Sequence, residues 1–288
     1  MTLSRFRRLA RLALMTLVCA PAWAGSAAAA AGDGVHLAPH RAVYDLKLLR
    51  ANGPRGIESA RGRIVYDFSG NACDGYDLKF RQVSELSSGE GKGVLTDLTS
   101  STWEAADAKS FRFSSQNRTN DKADKVNGEA DRGGKEVAIK LTKPKQTALI
   151  MPPSVVFPTE QMRRIIAGAR AGNDMLQMPV YDGSETGEKL YNTFTLIGKA
   201  IPPGAKPPHD AAANVPALAR LTRWPVTISY FDQRSDSELH NGEQTPVYTL
   251  GFELYENGIS RALVLDYSDF AISGEMTSLE MKKETPCR

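Results

Sequence analysis

The chain has 288 residues, 36 Lys+Arg against 33 Asp+Glu for a formal charge of +3, and 41% hydrophobic residues. Four arginines, Arg5, Arg7, Arg8 and Arg11, fall in the first 24 residues with no acid, so removal of that segment leaves 32 basic against 33 acidic residues and a charge of −1. Basic residues are scattered singly among acids, as at Arg61, Arg63 and Asp67, which excludes the basic stripe that a nucleic-acid binder presents.

The N-terminus reads basic, then apolar from Leu12 to Val18, then small at Ala22-Trp23-Ala24. That is the order of a cleavable secretory signal over residues 1–24. The apolar run is far short of the roughly 20 residues a membrane span needs, and no later segment comes closer, so the exported chain is not expected to span a membrane. Cys19 raises the alternative of a lipid-anchored N-terminus, but the branched Val18 precedes it where a lipoprotein signal wants a small residue. Residues 25–38 are Ala- and Gly-rich and predict a flexible lead-in. Regular patterning begins at residue 39, and 39–288 read as one β-rich domain.

Tyr44, Leu46 and Leu48, then Ile64, Tyr66 and Phe68, then Tyr76, Leu78 and Phe80 recur at every second residue, the period of half-buried strands. Gly53-Pro54-Arg55-Gly56 and Ser69-Gly70-Asn71-Ala72 supply turns. Strands follow over Gly93–Trp103, Ser110–Arg118, Lys125–Asp131 and Lys135–Leu141, a spacing that predicts an antiparallel meander. The Gly-rich Ser87–Gly93 lacks the order of a phosphate loop and leads into a strand, so it reads as a hairpin loop. Ala148–Pro153 is expected to be extended and to place the element after it.

That element is one short helix near residues 159–171. Met162, Ile165, Ile166 and Ala169 form an apolar stripe, Thr159 is placed to cap it, and Gly172-Asn173 to end it. Pro202-Pro203-Gly204 and Pro207-Pro208 mark an exposed loop rather than a domain boundary. Trp224, Val226, Ile228 and Tyr230 share a face, with Pro225 arguing for an edge position or a bulge. Asn257-Gly258 predicts a two-residue type I′ hairpin with Phe252 opposite Leu263, Leu250 opposite Leu265 and Tyr248 opposite Tyr267. The final strand, Phe270, Ile272 and Met276, then shifts phase to Leu279 and Met281, the sign of a bulge.

After cleavage two cysteines remain, Cys73 and Cys287. In an exported protein such a pair reads as a disulfide. It is structural rather than redox-active, because there is no Cys-x-x-Cys. His36, His40, His209 and His240 show no ligand spacing, so neither metal nor cofactor is expected. No hydrolase motif is present; a set of Asp182, Ser184 and His209 or His240 can be assembled, but triads are defined by geometry and not by composition. Tyr181-Asp182-Gly183-Ser184 is the most compact polar cluster, read either as a partner or ligand contact beside the helix or as a tight turn. Trp103, Trp224, Tyr230, Phe252 and Tyr267 are candidates to line a ligand cavity or to pack a core.

Taken as an ordered set, His40-Arg41-Ala42-Val43-Tyr44, Cys73 before Tyr76-Asp77-Leu78, Phe157-Pro158-Thr159, Tyr181-Asp182-Gly183-Ser184 and the terminal cysteine resemble the EipB family of periplasmic cell-envelope-integrity proteins. The resemblance covers most of the chain after residue 24. It implies a strongly curved many-stranded antiparallel sheet, a β-spiral or half-open barrel, with a helix at its opening and a bond between Cys73 and Cys287. It also implies a non-enzymatic role in the periplasm, a tetratricopeptide-repeat protein as partner, and a form similar to lipoprotein carriers. Three functions are therefore carried forward: a non-catalytic envelope protein binding a protein partner or an apolar ligand, a lipid or lipoprotein carrier, and an envelope-polymer hydrolase.

Overall fold

The computed structural model describes residues 34–52, 56–89, 93–233 and 245–287. The signal expected at 1–24, Cys19, the lead-in up to residue 33, turn residues Gly53, Pro54 and Arg55, the middle of the Ser87–Gly93 loop and His240 lie outside these.

The strands are β1 (His40–Ala51), β2 (Ile57–Asn71), β3 (Gly75–Ser88), β4 (Val94–Glu104), β5 (Ser110–Thr119), β6 (Lys122–Arg132), β7 (Val137–Lys143) and β8 (Thr147–Met151). Helix α1 (Pro158–Arg170) and then β9 (Met175–Val180) and β10 (Tyr191–Ile197) follow. The last strands are β11 (Arg223–Asp232), β12 (Tyr248–Tyr255), β13 (Ser260–Asp266) and β14 (Phe270–Met281). They form one 14-stranded antiparallel sheet in which two meanders, β1 to β8 and β9 to β14, meet where β1 pairs with β14. The sheet is a half-open barrel. Its outer strands approach through one parallel bridge: Val156, just past β8, accepts from the Tyr181 N–H at 3.0 Å and donates to the Pro179 carbonyl at 2.8 Å.

Alternation decides which face turns inward. In β1, His40, Ala42, Tyr44 and Leu46 are buried while Arg41 and Lys47 are exposed. Helix α1 packs into the concave face: Ile165, Ile166 and Ala169 join one core with Phe68 and Tyr76 from one side of the sheet and Tyr191, Trp224 and Phe252 from the other. Gly172 takes φ +80° and the Asn173 N–H reaches the Gly168 carbonyl at 2.9 Å, a Schellman-type stop.

The cap at the other end is not Thr159. Pro158 opens the helix without a side-chain cap of its own, and Glu104 of β4 accepts the Thr159 and Glu160 N–H groups, both at 2.7 Å. A carboxylate from a distant strand thus satisfies the orphan donors that Pro158 left uncapped. Burial pushes Glu104 from its ordinary 4.5 up to about 7, against the lowering effect of those two hydrogen bonds. The folded state therefore holds a proton that the unfolded chain releases, and the stability it contributes is full below pH 4.5 and lost as pH rises through about 7. The neutral isostere Glu104→Gln escapes that loss. Its stability relative to the parent is expected to grow by about 3 kcal/mol from below pH 4.5 to above pH 7, measured by urea unfolding at a series of pH values. A flat difference across that range refutes this account of the cap.

Four further expectations change in detail. The β12–β13 turn holds three residues, because the Tyr255 N–H bonds the Ile259 carbonyl and only Gly258 has positive φ, whereas type I′ needs two such residues. The expected register returns at Leu250 opposite Leu265 through a shift between Gly251 and Glu253, near Ala262 at φ +51°. Strand β11 is internal, and Pro225 is tolerated because its carbonyl accepts from the Gly198 N–H just past the end of β10. Its missing donor faces that same side, where no β10 partner remains. Finally, the described end of the expected lead-in is packed: Val35 and Leu37 are buried, and the Ala38 N–H bonds the Asn257 carbonyl. The expected bulge in β14 falls at Thr277, skipped between the Tyr44–Met276 and Val43–Ser278 pairs. The Pro-rich loop also carries a single 3-10 turn (Ala211–Ala213) and a four-residue helix, α2 (Pro216–Ala219).

Among the described residues no helix is long and apolar enough to cross a membrane.

Candidate functional site in the concave interior

The register shows which side chains share the interior. Phe80 and Gln82 of β3 face Ser100 and Leu98 of β4, and Ile64 and Tyr66 of β2 lie opposite Gln82 and Phe80. From across the shell, Leu250 and Phe252 of β12 and Leu263 and Leu265 of β13 point at them, and Met162 of α1 closes one end. Together they enclose a cavity of about 210 Å³ whose lining, among the described residues, includes no Lys or Arg. A neighbouring space of about 40 Å³ shares His40, Tyr66, Met162 and Gly258 with it. A wider indentation, about 640 Å³, is a shallow groove on the outer face, bordered by the ion pairs Arg63–Asp45 and Arg61–Glu85.

His40 is buried beside the cavity. Its Nδ1 bonds the Ala38 carbonyl at 2.8 Å and its ring stacks 5.5 Å from Tyr66. Burial depresses its pKa, so the imidazole is neutral at physiological pH. Burial raises Tyr66 to about 12 and Tyr44 further still; the Tyr44 hydroxyl donates to the Ser260 carbonyl at 2.6 Å.

At its Gln82 end the cavity meets a run of hydroxyls. Tyr267 adjoins Gln82, its ring lies 6.5 Å from that of Tyr248, and Tyr248 stacks on Tyr230 at 4.3 Å. Gln161 of α1 donates to the Thr193 hydroxyl at 3.4 Å. Tyr191 stands edge-on to both Tyr230 and Tyr248 and donates to Glu185 at 2.8 Å.

The Tyr181–Ser184 segment borders this cluster. Tyr181 is fully buried, edge-on to Phe111 and Phe113, and donates to the Gly187 carbonyl at 2.8 Å. Gly183 has φ +67°, and a Cβ there would lie 2.4 Å from the Phe113 ring, so only glycine fits. Asp182 and Ser184 are partly exposed, and Asp182 Oδ1 accepts the Ser184 N–H at 2.9 Å. The turn chemistry and the interior position thus coexist in one segment. Desolvation pushes the Asp182 carboxyl up, and its charge is felt by Tyr191, Tyr230 and Tyr248.

The assembled triad finds no geometry among the described residues. The Ser184 N–H bonds Asp182 Oδ1, and His209 is exposed on the Pro-rich loop. Of the five aromatic candidates, Phe252 lines the cavity and Tyr267 touches it through Gln82, while Trp224 and Tyr230 belong to the core around α1. Trp103 faces outward under Arg112, 4.8 Å from the ring centre. Gln82, Gln161 and Tyr191 were missed by sequence reasoning. The alternation through Phe80 places Gln82 on the buried face, and a polar residue at such a position was the available signal.

Far from the cavity, Cys73 and Cys287 are joined, with Cα atoms 5.6 Å apart. Asn71 organises the junction: its Oδ1 accepts the Cys73 and Asp74 N–H groups at 2.8 and 2.7 Å, and its Nδ2 donates to the Thr285 carbonyl at 3.1 Å.

A family model described as EipB-like matches residues 31–283. The cell envelope integrity protein EipB of Brucella abortus (strain 2308) is 38% identical over 271 residues, covering 92% of this chain and 93% of that protein. The crystal structure of a β-barrel-like protein of a domain of unknown function, also from Brucella abortus, superposes with a TM-score of 0.78 at 34% identity, covering 86% of this chain and all of that one.

Proposed function

Because the chain belongs to the EipB-like family, we propose that it is a non-catalytic periplasmic protein that supports cell-envelope integrity by sheltering an apolar ligand in its half-open shell. The observation that carries this reading is the interior cavity of about 210 Å³ walled by Ile64, Phe80, Leu250, Phe252, Leu263 and Leu265. Well-packed interiors leave few voids larger than a water molecule, and an apolar void of this size loses contacts unless something fills it. Its volume lies below the roughly 300 Å³ at which drug-sized pockets begin, so it suits one aliphatic chain rather than two. Export and the single disulfide fit an oxidising compartment. Lipid and lipoprotein carriage is the form of this function in which the ligand is handed on.

Filling the space is the test. Leu250→Trp or Leu265→Trp, judged folded by circular dichroism, is expected to weaken binding of the uncharged fluorophore N-phenyl-1-naphthylamine by about tenfold or more, since each methylene denied burial is worth roughly 0.8 kcal/mol. Native mass spectrometry of the parent purified from periplasm is expected to show a bound lipid-sized adduct that the variants lack. Fluorophore binding unchanged by either substitution, with no adduct on the parent, sinks the proposal.

A further inference from the structure

The cavity is not apolar throughout, and the chemistry at its Gln82 end restricts what can occupy it. Behind Gln82 the rings of Tyr267, Tyr248 and Tyr230 follow one another, with 6.5 Å and then 4.3 Å between the centres of successive rings, and Asp182 and Gln161 lie beyond. None of these six side chains is cationic, and the described lining of the cavity contributes no Lys or Arg either. The Lys189 ammonium is held between Glu185 at 2.7 Å and Asp232 at 3.1 Å, so its charge is more than matched. Glu185 also takes the Tyr191 hydroxyl. Whatever sits at the Gln82 end meets amide and hydroxyl groups, and the described lining of the cavity offers an anion no counter-charge.

Resting on the ligand-binding reading above, we infer that the occupant is a single-chain amphiphile whose tail fills the cavity and whose uncharged, hydroxyl-bearing head bonds Gln82 at its polar end, with anionic heads rejected. An uncharged hydroxyl head can donate to and accept from tyrosine and glutamine. A phosphate or carboxylate head would be desolvated against a described lining that holds no Lys or Arg, a cost larger than that of losing a neutral hydrogen bond.

The experiment displaces N-phenyl-1-naphthylamine from the full chain with three amphiphiles of equal tail length: monolaurin, dodecyl phosphate and dodecyltrimethylammonium. Monolaurin is expected to compete at about tenfold or more lower concentration than dodecyl phosphate. Gln82→Lys, which places a cation at the head position, is expected to reverse that order, and the milder Tyr267→Phe to narrow it. Equal or tighter binding of dodecyl phosphate to the parent overturns the head assignment while leaving the cavity reading intact, as does tightest binding of the ammonium compound. Failure of the fluorophore and all three amphiphiles to bind overturns both.

Discussion

Cys73→Ser with Cys287→Ser, or reduction of the bond between them, is expected to destabilise the protein by about 5 kcal/mol and to lower Tm by about 10–20 °C while leaving its β-sheet circular dichroism in place below the transition. The size follows from the loop. The two cysteines are 214 residues apart, so the bond removes from the unfolded chain the freedom of a loop containing nearly all of the described domain. The native state needs no rearrangement to make it: Asn71 already fixes the Cys73 and Asp74 backbone and draws in Thr285, independently of the sulfurs. The sheet survives reduction because β1 still pairs with both β2 and β14, the seam that joins the two meanders. Thermal unfolding with and without reductant is the measurement, and a Tm that does not move would show that the seam alone closes the fold.

Replacing Arg261 is expected to cost nearly as much. Arg261 is buried on β13, donating to Asp210 at 2.9 Å and to Glu253 of β12. Arg223 of β11, also buried, donates to Glu253 at 2.6 Å. Burial pushes the Glu253 carboxyl up, but the Arg223 hydrogen bond and the charges of Arg261 and Arg223 outweigh it and hold Glu253 below the ordinary carboxylate range. Asp210 in turn accepts the Met276 N–H at 3.0 Å, so the network pins the loop before β11 onto β14. Below that loop, Ala213 and Leu218 complete the core around Tyr44, Ile259 and Met276. Arg261→Met leaves the buried Asp210 without its guanidinium and the partly buried Glu253 with Arg223 alone, a loss of about 3–5 kcal/mol. Adding Asp210→Asn is expected to restore part of that loss, because the uncompensated charge is then gone. Urea unfolding of the two single variants and the double variant reads the coupling, and strict additivity would show that the pair does not act as a unit.

The paired cysteines were legible because only two remain after the signal, but the Asp210 contacts with Arg261 and Met276, 51 and 66 residues away, are of the kind the sequence showed least well. The strands were legible because alternation is local: Tyr44–Leu46 and Ile64–Tyr66–Phe68 each reveal two faces without reference to any other segment. The helix was legible for the same reason, through Ile165, Ile166 and Ala169. Its cap was not, since Glu104 lies 55 residues before Thr159 and local rules favoured the nearer hydroxyl. The β12–β13 hairpin was recognised from Asn257-Gly258, yet its length was set by tertiary contacts. Leu37 packs against Gly258, where a Cβ would come within 2.7 Å of it, and the Ala38 N–H takes the Asn257 carbonyl.

The sequence by itself determined the β class, the single helix of more than one turn, the positions of most turns and the two cysteines available to pair, because each is written in residues close enough to read together. Tertiary structure alone decided that the sheet curls until Val156 meets Val180, that α1 enters the concavity, and that a space of about 210 Å³ remains beside it. Alternation gives every strand two faces but does not say which turns inward or how tightly the sheet bends. Empty volume is the difference between the radius of that bend and the side chains that project into it, and no single stretch of sequence contains both.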